Sequence, residues 1–212
     1  MSTLADLRKN YQRAELKESE TPLDPDVLFQ QWLDDALASG ISEPSAMTLA
    51  TVDAHQRPRT RIMLLKEFQP GKLIWFTNYE SSKGRELAAR PFASLQFHWM
   101  ELERVVRIEG RVEKISEAES EAYYRSRPLG SRIGAWASAQ STVVSGREEL
   151  EERYRAAEAR YGDDPPKPAY WGGFQLTPDY WEFWQGRPSR LHDRLAFRLD
   201  DQGAWVRERL SP

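Results

Sequence analysis

Strand-like segments follow one another directly in this chain, and the helix-like segments lie between groups of strands. Alternation of apolar and polar residues begins at residue 46 and predicts five strands before residue 116, which are Ala46–Asp53, Arg59–Phe68, Lys72–Asn78, Phe92–Trp99 and Glu103–Ile115. Residues 172–210 are again strand-like, with turns near 186–190 and 200–203. Because strands and helices do not alternate strictly, we expect a mainly β fold with flanking helices and a mostly antiparallel sheet or barrel.

The helices are predicted from their start signals. Asp24-Pro25 opens a helix that ends near Gly40, and Ser81 opens a short one that stops before Pro91. Two serines followed three residues later by glutamate match the capping box and predict helices over 116–126 and 145–161. Residues 1–22 are charged and predict a mobile arm or a short helix, which leaves residues 23–212 as a single domain.

Composition excludes several classes of function. The chain has no cysteine, which rules out disulfides and thiolate catalysis, and its three histidines disfavour a histidine metal site. A net charge of −3 argues against general nucleic-acid binding. The polar N-terminus is unlike a signal peptide, and no apolar run is long enough to span a membrane, so we expect a soluble cytoplasmic protein. The sequence contains neither Gly-x-Gly-x-x-Gly nor Gly-x-x-x-x-Gly-Lys-Ser/Thr, which counts against the usual nicotinamide and nucleoside-triphosphate sites.

Residues 181–194 hold the densest group of candidate functional side chains. Two tryptophans, three arginines and a histidine lie around a turn signal at Gly186 and Pro188. If the second half is an extended strand from Leu191, then Arg190, His192 and Arg194 project from one face. Two fixed cations beside an imidazole suit a phosphorylated ligand whose reaction also involves a proton or a hydride.

Other candidates are ambiguous when each is taken alone. The strand from Arg61 to Lys66 and the helix start at Ser81-Ser82-Lys83 both suit an anionic cofactor, because helix N-termini offer free N–H groups. Two arginines end the helix at Tyr123–Pro128, and Gln140-Ser141-Thr142 offers hydrogen-bonding side chains. Charged strand ends, serine caps and C-terminal arginines are each more common as purely structural features.

The order of these segments is more specific than any one of them, and it resembles the pyridoxine (pyridoxamine) 5'-phosphate oxidase family. The similarity runs from about Leu7 to Pro212 and includes the C-terminal ending at 209–212. It is carried by 61–66, Phe76-Thr77, 81–83, 126–128, 133–136, Gln140-Ser141, Phe174 within 171–174, 182–186 and, most specifically, Arg190–Arg194.

The resemblance implies a split β-barrel that dimerises and holds FMN in clefts formed by both subunits. It implies oxidation of pyridoxine or pyridoxamine 5'-phosphate to pyridoxal 5'-phosphate, with O2 reoxidising the flavin to give hydrogen peroxide. By position, the FMN contacts would be Arg61, Ile62, Met63, Leu64, Leu65, Lys66, Phe76, Thr77, Ser82, Lys83, Gln140, Ser141, Trp184 and Arg194. The substrate contacts would be Arg8, Tyr11, Lys66, Tyr123, Arg127, Ser131, Arg190 and His192.

Within that set, the resemblance assigns the catalytic positions to Arg190 and His192, which we expect to hold the substrate C4' carbon for hydride transfer to the flavin. Three positions depart from the family pattern. Ser82 stands where many relatives have arginine, Val105 where many have glutamine, and Phe76 where tyrosine is usual. The first two changes bear on FMN affinity and flavin tuning more than on substrate class.

Three alternative functions remain open from the sequence. One is another split-barrel flavoprotein, such as a flavin reductase or an oxidase of a different phosphorylated heteroaromatic compound. Another is a non-catalytic carrier of FMN or pyridoxal phosphate. The third, an aromatic-rich nucleic-acid-binding barrel, is disfavoured by the acidic balance.

Overall fold

A single antiparallel sheet organises the computed structural model, which describes residues 10–212. Its nine strands are β1 (Ala46–Val52), β2 (Pro58–Leu64), β3 (Glu67–Gln69), β4 (Lys72–Asn78), β5 (Phe92–Trp99), β6 (Arg104–Lys114), β7 (Trp171–Gln185), β8 (Asp193–Leu199) and β9 (Trp205–Arg209). The strand order is β2-β1-β5-β6-β7-β4-β3, and β8 joins β7 to β9. Every pairing is antiparallel, as the sequence predicted.

Within residues 10–212, five α-helices flank this sheet. They are α1 (Pro25–Ala38), α2 (Ser82–Ala89), α3 (Glu117–Ser126), α4 (Leu129–Ala137) and α5 (Arg147–Tyr161). Helix α1 covers the core with Phe29, whose ring centroid lies 5.2 Å from that of Phe97 and 5.2 Å from that of Trp181. These three rings are fully buried, and burying a side chain of this size contributes about 1.5–3 kcal/mol.

Strand β7 connects the parts of the sheet that matter for the site. Its 15 residues pair with β6 along most of their length, with β4 at the beginning of the strand and with β8 at its end. The register shifts once against β6, between Glu109 and Gly110. The strand therefore has two ends that carry different neighbours.

Most helix starts follow the predicted chemistry. The Asp24 side chain accepts from the backbone N–H of Asp26, and Ser116 and Glu119 form the predicted capping box. The second predicted capping box is wrong: α5 begins after Gly146, and Ser145 donates to the Glu149 carboxylate instead. Helix α4 was not predicted, because it follows Pro128 without a capping side chain.

Two predicted strands are also corrected. The segment Arg59–Phe68 divides into β2 and β3, because the backbone leaves the sheet after Leu64 and the Lys66 N–H donates to the Ile74 carbonyl. The extended segment predicted from Leu191 begins only at Asp193. Residues 188–190 form a 3₁₀ turn, so the common strand face expected for Arg190, His192 and Arg194 is not formed.

Candidate functional site

A cavity of about 690 Å³ lies where the end of β2, strand β4 and helices α3 and α4 meet. Ten residues predicted from the sequence line it: Ile62, Met63, Leu64, Lys66, Phe76, Thr77, Tyr123, Arg127, Ser131 and Gln140. The fold thus gathers these predicted residues from five separate segments of the chain. Six lining residues were not predicted as contacts, namely Asn78, Pro128, Gly134, Ala135, Ser138 and Trp171.

Three stacked aromatic rings form one wall of this cavity. The Phe76 and Tyr123 rings lie 3.7 Å apart and 12° from parallel, and Trp171 stacks at 5.6 Å from Phe76. Trp171 is held by the chain around it, since the buried Lys167 ammonium donates to its carbonyl and pairs with Glu117 at 2.7 Å. Near-parallel aromatic rings that line a cavity suit a planar heteroaromatic ligand.

Arg127 lines this cavity, and part of its guanidinium group lacks a hydrogen-bond acceptor within residues 10–212. Its guanidinium carbon lies 4.5 Å from the Trp171 ring centroid, and one terminal nitrogen is buried with no hydrogen-bond acceptor among residues 10–212. Burial lowers the pKa of Arg127 below its ordinary value, against the opposing effect of Tyr123 and Tyr124. Buried polar groups without partners are rare, so this nitrogen points to an anionic ligand.

A second cationic group reaches the same region from helix α2. Ser81 caps that helix, and the Lys83 ammonium that follows donates to Gln140 at 2.8 Å and to Thr77 at 3.1 Å. Lys83 is buried, with only 7% of its surface exposed. Even so, within the described chain no carboxylate lies within ion-pair distance of its ammonium. Burial, followed by the charge of Arg61, lowers the pKa of Lys83 to about 8. A buried ammonium with neutral partners is the donor that a phosphate group requires.

Arg61 is placed differently from the other predicted contacts. Its guanidinium pairs with the Glu86 carboxylate at 3.0 Å and also donates to Thr51, outside the residues that line the cavity. Leu65 is a buried core residue, and Ser82 and Ser141 are also absent from the cavity lining. Their assignment as FMN contacts stays a prediction, as does that of every other predicted site residue.

A second group of predicted residues lies around Trp184 and His192. Their ring centroids lie 4.6 Å apart, and the Tyr11 ring meets both edge-on, at 5.6 Å from Trp184 and 5.5 Å from His192. Gly186 is needed beneath Tyr11, because a Cβ at that position would lie 2.7 Å from the Tyr11 ring. We call Tyr11, Trp184 and His192 the three-ring cluster.

The chain segment that carries Tyr11 is fixed at several points. The Glu103 carboxylate accepts from the backbone N–H groups of Gln12 and Arg13 at 3.0 and 3.1 Å. Asp193 accepts from the Leu16 N–H, and Leu16 itself is buried. Further along, Arg209 binds Glu18 and holds the pKa of that carboxyl to about 2. Arg8, also predicted to close over the site, lies outside the described residues.

Arg194 is oriented by a buried carboxylate. Glu182 on β7 accepts from Arg194 at 2.9 Å, from Arg107 at 3.2 Å and from the Tyr180 hydroxyl at 3.1 Å. Burial acts to raise the pKa of Glu182, but the hydrogen bond from Arg194 and the charge of Arg107 outweigh it and lower the pKa below its ordinary value. Glu182 was not predicted as a site residue, although it begins the segment 182–186 that contributes to the family resemblance.

We expect Glu182→Gln to lower the free energy of unfolding by about 1–3 kcal/mol at pH 7, since charged hydrogen bonds are lost. A carboxyl group with a lowered pKa stabilises the fold above its unfolded pKa, so the difference from wild type should shrink as the pH falls below 4.5. Urea unfolding of the variant and the wild type, at pH 7 and at a pH below 4.5, measures this difference. Glu113→Gln is the control, because its pair with Arg111 is 57% exposed and contributes little; equal effects of both variants would contradict the assignment.

The cavity and the three-ring cluster lie at opposite ends of β7. Phe76 in the cavity wall pairs with Gly173 near the start of that strand, whereas Arg194 pairs with Trp184 near its end. The intervening strand spans up to roughly 36 Å at about 3.3 Å per residue. No residue lines both the cavity and the smaller cavity of about 300 Å³ beside His192.

Among residues 10–212 no group of histidine, aspartate and glutamate is arranged to hold a metal ion. Within the same range, no helix combines the length and the apolar character that crossing a membrane requires.

Comparison with protein families gives matches over most of the chain. Residues 33–160 match the family described as pyridoxamine 5'-phosphate oxidase, and residues 171–212 match the pyridoxine 5'-phosphate oxidase C-terminal dimerisation region. The second match contains the three-ring cluster residues Trp184 and His192.

Named relatives cover the whole chain. A pyridoxine/pyridoxamine 5'-phosphate oxidase of Paracidovorax citrulli is 60% identical, covering 100% of this chain and 94% of the relative. The protein of the same name from Burkholderia multivorans is 58% identical and is covered completely in both directions.

Solved structures share the fold. PhzG from Burkholderia lata, in complex with tetrahydrophenazine-1-carboxylic acid, superposes with a TM-score of 0.86 at 29% identity, covering 93% of this chain and 98% of that one. A pyridoxamine 5'-phosphate oxidase-related, FMN binding protein from Nostoc punctiforme gives a TM-score of 0.70 at 18% identity, covering 87% and 97%.

Proposed function

The chain belongs to the pyridoxamine 5'-phosphate oxidase family, with the split β-barrel fold that its motifs predicted, and we propose that it oxidises pyridoxamine and pyridoxine 5'-phosphates to pyridoxal 5'-phosphate. FMN is the proposed cofactor and O2 the proposed electron acceptor. The observation that carries the substrate class is the buried nitrogen of Arg127 that has no hydrogen-bond partner among residues 10–212, in a cavity that Lys66, Tyr123 and Ser131 also line.

The phosphate of the substrate is assigned to that group of side chains. Arg127 and Lys66 supply positive charge, and the hydroxyls of Tyr123 and Ser131 add donors of hydrogen bonds. Burial raises the pKa of Tyr123, so its hydroxyl stays protonated and able to donate at neutral pH. Charge-assisted hydrogen bonds to a phosphate are about twice as strong as neutral ones, which favours a phosphorylated substrate over its free vitamin form.

The residues around Lys83 fit a flavin phosphate. The Lys83 ammonium donates to the Thr77 hydroxyl and to the Gln140 amide oxygen, so these three groups form one polar cluster beside the N-terminus of α2. When bound, FMN would supply the two-electron redox chemistry that no side chain of this chain can perform. The protein's own contribution is to fix the substrate, to exclude water behind the Phe76–Tyr123–Trp171 wall and to orient Arg194 through Glu182.

The net reaction sets a direct test. Pyridoxamine 5'-phosphate, O2 and water give pyridoxal 5'-phosphate, ammonia and hydrogen peroxide, while the pyridoxine form needs no water and releases no ammonia. We expect the purified protein with FMN to form pyridoxal phosphate and peroxide in equal amounts in air. Flavin reduction by a nicotinamide cofactor with no turnover of either vitamer would favour a flavin reductase instead.

A homodimer is proposed to complete the site. The cavity and the three-ring cluster lie at opposite ends of β7, so a second copy placed across a two-fold axis could bring the cluster of one subunit to the cavity of the other. The match of residues 171–212 to a dimerisation region supports this arrangement. A cytoplasmic location is also proposed, because FMN and phosphorylated vitamers are cytoplasmic metabolites.

Mixed dimers test the shared site. Arg127→Met and Arg190→Ala lie in the two separate halves, so each homodimer should lose most activity while Arg190→Ala keeps its FMN. A mixed dimer would hold one site with both changes and one site with neither. We expect co-expressed, tandem-tagged mixed dimers to regain close to half of the wild-type turnover, and no recovery would place the whole site within one subunit.

A further inference from the structure

His192 is held by a hydrogen bond whose direction is fixed. The backbone N–H of Arg187 donates to its Nδ1 at 3.1 Å. The turn between the two residues makes this contact possible, since Ser189 and Arg190 both adopt left-handed backbone conformations with φ of 58° and 62°. A backbone amide can donate but cannot accept, so Nδ1 must be the ring nitrogen without a hydrogen.

We propose that His192 works as a neutral imidazole with its hydrogen on Nε2, and that this nitrogen donates a hydrogen bond to an acceptor atom of the substrate ring. On this assignment His192 does not remove a proton from the substrate. The identity of the substrate rests on the proposed function, whereas the protonation state of the ring does not.

The second ring nitrogen is free to act on a ligand. In the part of the chain that the structure describes, no side chain or carbonyl is hydrogen-bonded to Nε2. His192 lines the cavity of about 300 Å³ together with Arg209 and the C-terminal residues 210–212. The Tyr11 and Trp184 rings confine the imidazole on its other sides.

The charged neighbours of His192 favour its neutral form. Burial, followed by the charge of Arg190, lowers the pKa of His192, and Asp193 opposes this effect. The Asp193 carboxylate is already occupied, since it accepts from the Leu16 N–H at 3.0 Å and pairs with Arg209 at 2.7 Å and Arg187 at 3.5 Å. It therefore does not hold a second proton on the imidazole.

The alternative role as a general base requires the other tautomer. A base at Nε2 needs an unprotonated Nε2, and a neutral ring would then carry its hydrogen on Nδ1. That hydrogen would face the Arg187 N–H, and the present hydrogen bond would be lost. The turn at 188–190 thus selects donation over proton removal before any substrate binds.

Nitrogen NMR of the FMN-loaded protein with labelled histidine tests the tautomer directly. The chain has three histidines, and the exposed His55 and His98 serve as internal references, with His192→Asn giving the assignment. We expect the Nδ1 of His192 to resonate as an unprotonated nitrogen and its Nε2 as a protonated one at pH 7 and above. A protonated Nδ1 at pH 7, in either the neutral or the doubly protonated ring, would overturn the proposal.

A matched pair of variants separates donation from proton removal in turnover. Glutamine places an amide N–H near the position of Nε2 without a titrating group, whereas leucine offers no donor. We expect His192→Gln to retain at least tenfold more kcat/KM than His192→Leu and to keep the wild-type pH profile. Equal losses in both variants, of about 10²–10⁴ as for a missing general base, together with loss of a limb in the profile, would contradict donation.

The two proposals fail separately. If neither vitamer phosphate is oxidised, the proposed function is wrong, while the nitrogen spectrum still decides the state of His192. If the vitamers are oxidised and Nδ1 is protonated, the function stands and the donor role falls.

Discussion

Replacing Arg127 with methionine is expected to lower kcat/KM for pyridoxamine 5'-phosphate by about 10²–10³-fold. The change removes a cation from a cavity in which one of its nitrogens is buried and has no acceptor within residues 10–212. Removing one partner of a buried, hydrogen-bonded charge pair costs about 2–5 kcal/mol, which spans this range of rates. Steady-state kinetics of the FMN-loaded variant measures it.

Two controls show whether the loss belongs to the phosphate. Arg125 lies two residues earlier, in the last turn of α3, but it is 58% exposed and paired with Glu121, so we expect nearly unchanged kinetics for Arg125→Met. Pyridoxamine without its phosphate should react slowly and equally with wild type and Arg127→Met. An equal loss for both substrates would show that Arg127 serves the aromatic wall through Trp171 and does not bind the phosphate.

Replacing Lys83 with methionine is expected to have opposite effects on cofactor binding and on stability. FMN should bind roughly 100-fold more weakly, because a charged hydrogen bond to its phosphate is lost. The FMN-free protein should gain about 1–3 kcal/mol in its free energy of unfolding at pH 7. This gain follows from the pKa of Lys83, which falls from 10.5 to about 8 on folding.

The sign of the pH dependence follows from the same shift. Between pH 8 and pH 10.5 the unfolded chain keeps a proton on Lys83 that the folded FMN-free protein has released, so this residue makes stability rise with pH. The rise should be absent in Lys83→Met. Unfolding curves across that window and FMN titrations measure both effects, with the exposed Lys72→Met as the control. A variant that is less stable without FMN, or that binds FMN normally, would contradict the role assigned to Lys83.

The strands could be predicted because their alternation is local. Lys72–Asn78 and Phe92–Trp99 have the predicted bounds, and the capping box at Ser116 and Glu119 is formed. The turn at 188–190 could not be predicted, since Ser189 and Arg190 adopt left-handed backbone conformations that their residue types do not favour. The role of this turn is evident only in the folded protein, where the Arg187 N–H donates to His192 and Tyr11 packs against the same ring.

Part of the cavity lining could be predicted from the sequence. The rest depends on contacts between residues that are far apart along the chain. The order of motifs identified Lys66, Tyr123 and Arg127, which the fold brings to one cavity. Trp171 completes the aromatic wall through a pairing of β4 with β7 that lies some hundred residues away in sequence. The buried Glu182 gains its role from two arginines on neighbouring strands. Neither role is visible in a local pattern.

The departures from the family pattern now have positions. Val105 pairs with Trp184 across β6 and β7, so it lies beside the residues assigned to the flavin. Ser82 is the first residue of α2 and leaves Lys83 as the buried cation of that helix start. Phe76 stacks on Tyr123 with its ring, a contact that needs no hydroxyl.

The central claim is that a flavin bound to this protein takes electrons from a phosphorylated B6 vitamer. The most direct test is the visible spectrum of the FMN-loaded protein under anaerobic conditions as pyridoxamine 5'-phosphate is added. We predict that the flavin absorbance bleaches with one equivalent of pyridoxal 5'-phosphate formed per flavin, and that it returns when O2 is admitted. A flavin that stays oxidised in the presence of excess pyridoxamine and pyridoxine 5'-phosphates would contradict the claim.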